Sequence, residues 1–586
     1  MGVRSHVPPK SLAALCATAT ILLLGPAAAD AAIFTVTTGA DGTATTDCTT
    51  PVVGECGLRE AVSAANAATS DDTINISENL LVSLTAGQDD TNAAGDLDIQ
   101  TQANAGGLTI AGLGTGGATI FAPSLDRVID NIGVSAAPVT VSNLGFGNGN
   151  PQGGANGGVF RWQAAAGDVT LDHVYVSTSG ANSGSGGILY VNNTSGSGQT
   201  ATIANSTFAS SGAGIAGGVV KSNRALVVRD AVFDGIGTTN GTPATGGAIR
   251  LDGSNTSSTI DRSAFVGGMA YTGSAISVGN GARLTVKNTT IGENTGPIFG
   301  GGAIHVEGSA TQTSFANVTF NNNTAAVGEG ATFVLNGGAV PANQTVVNSI
   351  IRTSDPDSPN CTVSGSPAAA FASGGHNIQF RDTAGDTPCA ASPGAGDLTA
   401  DPLLLPATLP LNQYHYLPAA GSPAIDGGAN CETLAGVLDQ LKAARTQGAA
   451  CDVGAIEQTG PEVPPVIQDP NPNPNTNPDP VTPTATLGKA KSKRNGTVLL
   501  PVTTTGAGAL QAVDSAASKK HPAKIRPASA TPTGPGTVKL RLRPSQTAKA
   551  LLERHSRVRV MVSVFFTPDG GTTQTYVKKV TLKQPR

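Results

Sequence analysis

The chain has 586 residues, 75 of them glycine, with 13% charged and 4% aromatic residues and a formal net charge of −5. A mean hydropathy near zero excludes a disordered polyelectrolyte, and the length admits more than one domain. The charge is uneven: 19 Lys/Arg stand against 3 Asp/Glu from Lys489 onward, so that segment is near +16 and the remainder near −21 (−5 − 16).

Residues 1–31 read as a secretory signal peptide. Arg4 and Lys10 give a basic start, residues 11–25 form an apolar core, and Ala27, Ala28 and Ala29 offer a cleavage site. The core is too short for a membrane anchor, and Cys16 lies inside it, which argues against a lipoprotein. No other stretch is apolar enough to span a membrane, so the mature chain is expected to be secreted. Its six remaining cysteines allow fifteen disulfide connectivities. Sequence neighbours suggest Cys48–Cys56, Cys361–Cys389 and Cys431–Cys451. The alternative is a metal site, but no C-x-x-C or clustered histidine supports one.

Residues 32–138 read as an N-terminal cap and the first coils of a repeat. IFTVTT (33–38) is a strand, and GLREAVSAANAA (57–68) places Leu58, Val62 and Ala65 at helical spacing. Such a helix would cover the open end of a stacked array, with Arg59 and Glu60 in a cap salt bridge.

From 139 to 351 one phrase recurs every 25–32 residues or so. Its copies are VTVSNLGF (139–146), VTLDHVYV (169–176), ATIANSTF (201–208), LVVRDAVF (226–233), STIDRSAF (258–265), LTVKNTTI (284–291), TSFANVTF (313–320) and QTVVNSII (344–351). The third position is always apolar, the eighth is always a large apolar residue, and the fifth is often Asn, which tolerates a left-handed turn. Between the copies lie glycine-led phrases such as GGILYVN (186–192) and GGAIRLD (246–252). Strands this short bury themselves only by stacking on identical neighbours, about 4.8 Å apart. The expected fold is all-β: a right-handed parallel β-helix solenoid with a short N-terminal capping helix, followed by a small C-terminal antiparallel β-sandwich. The bland alternative for the array is an antiparallel sandwich.

The segment ECGLREAVSAANA (55–67), followed by DTINI (72–76) and GDLDI (95–99), resembles the opening motif of the CSLREA domain, with Gly57 in place of the usual Ser. SGGHNIQFRD (373–382), DPLL (401–404), YLPAAGSPAID (416–426) and CDVGAIE (451–457) resemble the C-terminal region of the choice-of-anchor Q family. These resemblances cover roughly residues 33–457 and imply a secreted bacterial β-helix of pectin-lyase-like fold. Two departures stand out: the N-G-G-P-T segment is absent, and the Asp-Gln-Arg-Gly step reads DQLK (439–442). Residues 352–457 are accordingly read as the C-terminal cap region of the β-helix.

Residues 458–486 are a Pro/Asn-rich linker. Residues 487–586 read as a basic module resembling immunoglobulin-like or fibronectin-like sandwiches. Val558, Val560, Val562, Val564 and Phe566 alternate there as in a half-buried strand. The chain ends without a hydrophobic tail, so surface attachment, if any, is expected to be non-covalent.

The candidate site comes from the glycine-led phrases. If Ile249 and Leu251 face inward, one outward column holds Arg161, Tyr190, Lys221, Arg250, Ser277 and His305. A cationic and aromatic side chain on successive rungs fits an acidic polysaccharide or cell-wall polymer. The plainer reading is a solvated outer face. No catalytic residue, metal or cofactor is assigned. Asp426, Asp452 and Glu457 are read as turn caps, and no pair of carboxylates on neighbouring rungs convinces as a glycosidase site. The expectation is a non-catalytic, adhesin-like protein, monomeric, at most peripheral to the cell surface and without nucleic-acid partners. A polysaccharide lyase or hydrolase is the alternative, and a structural spacer is the third reading.

Overall fold

The computed structural model describes residues 31–458 and 485–584, except 43–47, 51, 86–91, 101–105, 123–125, 133–136, 152–154, 164–166, 178, 182–183, 193–197, 239–244, 255, 297–300, 356, 382–386, 409–413, 494–496, 515–523, 527, 555–556 and 569–573. The signal-peptide reading and nearly all of the linker lie outside the described residues. The chain divides into two compact units, Met1–Pro464 and Pro465–Arg586.

The first unit is a parallel β-helix. Its repeat phrases pair rung on rung in parallel within a 19-stranded sheet. Val141, Leu171, Ile203, Val228, Ile260, Val286, Phe315 and Val346 are successive partners and wholly buried. The eighth-position residues stack likewise, and among them Phe208, Phe233 and Phe265 form a pile with ring centroids 5.2 and 4.5 Å apart. The glycine-led phrases form an 11-stranded sheet on another side of the coil. Each rung thus sends its alternate apolar side chains into one continuous core.

Left-handed residues turn the corners. Asn143, His173, Asn205, Asp230, Arg262, Asn288, Asn317 and Asn348 all have φ between 46° and 55°. Asn143 donates to the carbonyls of Gly112 and Gly114, and Asn205 to Asp172 on the preceding rung. A second left-handed corner follows six of the eight large apolar residues, at Asn148, Ser210, Gly235, Gly267, Glu293 and Asn322. The mixed residue types at that corner hid it in the sequence.

Helix Leu58–Ala67 buries Leu58, Ala61, Val62 and Ala65 against the first rungs. Arg59 makes a salt bridge at the cap to a partner not foreseen, Asp41, with Nε 2.8 Å from its Oδ1, and also donates to the carbonyls of Gly95 and Asp96. At the other end the coils run past 351. Cys361–Val363, Ala372–Gly375 and Ile378–Arg381 extend both sheets. The following segment folds back over the corner asparagines. Asn288 donates to Ala435 O, Asn317 to Asp452 O and Asn348 to Ala429 O. Three disulfides form, Cys48–Cys56, Cys361–Cys389 and Cys431–Cys451.

The second unit comprises two four-stranded antiparallel sheets and helix Gln546–Arg554. Val558, Val560, Val562, Val564 and Phe566 line its core, as their alternation requires.

Candidate functional site

The predicted column exists in register. Arg161 pairs with Tyr190, Tyr190 with Lys221, Lys221 with Arg250, Arg250 with Ser277 and Ser277 with His305. It is not the solvated cationic stripe expected from the sequence. Arg250, Ser277 and His305 are 7%, 0% and 4% exposed. Arg161 forms a bidentate pair with the buried Asp130. Lys221 and Arg250 both bind Asp252, and Arg250 reaches Glu307 at 3.3 Å. Two cations thus face two carboxylates, so the stripe carries little net charge. The sequence reading counted one outward side chain per rung and so missed Asp252 and Glu307, which stand two places after Arg250 and His305 and share their face.

The electrostatics follow from burial. Burial pushes the Lys221 ammonium below its ordinary range, against the pull of Asp252. Burial alone would raise Asp252, but hydrogen bonds from Arg250 and the charge of Lys221 hold it below the usual carboxylate range. Burial, helped by the Arg250 charge, lowers His305 to about 4, so the imidazole is neutral at pH 7. Its Nδ1 lies 3.1 Å from Ser277 Oγ, which accepts from Arg250 Nη1 at 2.7 Å.

A depressed histidine pKa contributes stability that is complete above the unfolded value near 6.5 and is lost as pH falls toward about 4. The stability advantage of the wild type over His305→Gln is therefore expected to shrink between pH 7 and pH 4. Urea titrations of both proteins at several pH values measure it, and a constant difference would contradict the assignment.

Nearer the N-terminus, no motif pointed to Asp96, Asp98 and Asp130, whose carboxylates come within 4.8 Å of one another. They are the group among the described residues that could hold a cation. Arg127 already lies against them, 2.9 Å from Asp96 and 3.2 Å from Asp130. Burial and the neighbouring Asp126 raise Asp96 to about 6.

Asp426, Asp452 and Glu457 serve the fold. Asp426 accepts from Ala450 N, Asp452 from Asp426 N and Gln458 N, and Glu457 from Thr446 N, Gln447 N and Asp452 N. Between them Arg445 is fully buried and donates to Asn288 Oδ1 at 2.7 Å. Carboxylates spent on backbone N–H groups in this way are turn caps.

The open polar surface is elsewhere. On the outer face of the long sheet, Thr73, Thr109, Thr140, Thr170, Thr202, Val227, Thr259, Thr285, Ser314 and Thr345 are successive partners. The eight phrases already aligned contain most of this hydroxyl ladder at their second position. A groove of about 430 Å³ follows its last four rungs, lined by Ser257, Thr259, Arg283, Thr285, Gln312 and Thr345 among others, with no carboxylate in its walls.

No family model matches the sequence, and no curated protein matches it. Among solved structures, a PL6 family alginate lyase is similar at 13% identity and a TM-score of 0.30, covering 64% of this chain and 54% of the lyase. The chain therefore spans about half the length of that lyase. A likeness of this degree decides neither ligand nor reaction.

Proposed function

We propose that the chain is an extracellular, non-catalytic β-helix that holds a weakly acidic polysaccharide at the cell surface. The observation that carries the reading is the groove over the hydroxyl ladder, four rungs long and free of carboxylates. Rungs about 4.8 Å apart keep step with sugar residues of about 5 Å, so the groove suits about three of them. Threonine hydroxyls donate to and accept from sugar hydroxyls, and their methyls pack on the ring C–H faces. Arg283, exposed in the groove, pairs with a uronate or sulfate. The three disulfides fit an oxidising compartment, and no helix among the described residues is long and apolar enough to cross a membrane. The resemblance to the CSLREA and choice-of-anchor Q families belongs to the same surface reading.

This reading moves the ligand from the Arg161–His305 column to the other sheet. The column cations already have carboxylate partners, and an anionic polymer would have to displace them.

The test is titration of the protein with polygalacturonate, alginate and cello-oligosaccharides, following polymer size and ultraviolet absorbance of unsaturated ends together. Acidic polymers are expected to bind with modest salt sensitivity and unchanged length. The triple variant Arg283→Ala, Thr285→Val, Gln312→Ala should bind at least tenfold more weakly at unaltered melting temperature. Chain shortening, or a variant that binds as well as the wild type, would overturn the proposal.

A further inference from the structure

A second pocket, of about 250 Å³, lies where the returning C-terminal segment meets the corner of the coil. It shares no lining residue with the groove. Two of its walls are polar: Asp230 and Arg262 from neighbouring corners, and Lys442 from the returning segment. Val232, Ala264 and Leu441 supply an apolar side.

The corner positions make this pocket unusual. Five of the eight first corners are Asn, which satisfies the left-handed backbone cheaply. Three corners line the pocket, Asn205, Asp230 and Arg262, so two of the three corners that are not Asn face it. Arg262 has φ +46° and Lys442 φ +66°, a conformation that long side chains adopt at a cost. Both cations meet at Asp230: Arg262 holds it through Nε at 2.9 Å and Nη2 at 3.1 Å, Lys442 Nζ stands 3.5 Å away, and Arg262 Nη1 also donates to Asp261 at 2.5 Å. The corner does not require the Arg262 cation, because Asn serves the same position on five other rungs. Backbone strain kept where a fold has a cheaper solution is a mark of a site.

We propose that this pocket binds a single hexuronate residue. Its volume is below that of drug-sized sites and suits one sugar ring. The Lys442 ammonium receives the sugar carboxylate: its contact with Asp230 is long, at 3.5 Å, and its side chain is 57% exposed, whereas Lys221 and Arg250 of the column are covered and closely paired. Asp230, fixed by Arg262, accepts sugar hydroxyls, and the ring's C–H face lies on Val232 and Ala264. The proposal stands independently of the groove, since a monosaccharide tests it.

The test uses the full chain with D-galacturonate, D-glucuronate and D-galactose, read by saturation-transfer NMR and calorimetry. Saturable binding of a uronate, weaker for galactose, is expected. Arg262→Asn and Lys442→Gly should each weaken uronate binding at least tenfold, while the melting temperature stays the same or rises because strain is relieved. The idea is overturned if no uronate binds saturably, if galactose binds equally well, or if both variants bind as the wild type does. A lowered melting temperature in both variants would also overturn it, because the cations would then be serving the fold.

Discussion

Gly247→Ala is expected to leave the protein largely insoluble, or destabilised by more than about 4 kcal/mol. A Cβ at Gly247 would stand 1.8 Å from Ser274 O and 2.7 Å from its carbonyl carbon. Gly158, Gly187 and Gly218 meet the carbonyl oxygens of Gly187, Gly218 and Gly247 at 2.0, 2.1 and 2.0 Å. The obstacle in each case is backbone on the next rung, which moves only if the stack opens. Gly235 is the control. It has a positive φ, +59°, which Gly247 lacks, and nothing lies within 4 Å of its added Cβ. Gly235→Ala should therefore cost only the local strain, about 1–2 kcal/mol. Soluble yield and urea midpoints compare the two. Equal effects would mean that the close approach of rungs is not what decides the cost at Gly247.

Phe233→Ala is the second large effect, expected at about 3–5 kcal/mol. Phe233 is buried between Phe208 and Phe265, almost parallel to the latter with an interplanar angle of 3°. Truncation removes the middle of the pile and opens a cavity that two neighbouring rungs, fixed by their ladders, cannot fill. Tyr175→Ala, on an exposed ring outside the same sheet, should change stability by less than about 0.5 kcal/mol. A small loss at Phe233 would show that the rungs can collapse onto the gap.

The repeat made the core easy to read. Position three and position eight of each phrase are buried in register because a two-residue period and a rung repeat both act on them. The same logic placed Arg161, Tyr190, Lys221, Arg250, Ser277 and His305 in one column. It failed on their surroundings. Whether a column is wet or covered depends on side chains such as Asp252 and Glu307, which the two-residue period puts on the same face but whose partners are a matter of rotamer. The hydroxyl ladder was visible as the frequent threonine at the second position, yet nothing in a string of threonines separates a binding surface from an ordinary strand exterior. The pocket at Asp230 and Arg262 was harder still, since Lys442 reaches it from 180 residues away in sequence (442 − 262). The substituted DQLK step was nonetheless in view, and Lys442 is its last residue.

The most direct measurement is photo-crosslinking with a diazirine-bearing oligogalacturonide, with the labelled peptides mapped by mass spectrometry. Saturable labelling of the strands at 257–261, 283–292 and 312–321, competed by unlabelled polymer, is the predicted result. Labelling concentrated on the Tyr190 and Lys221 strands, or none that unlabelled polymer competes, would contradict the placement of the glycan on the hydroxyl ladder.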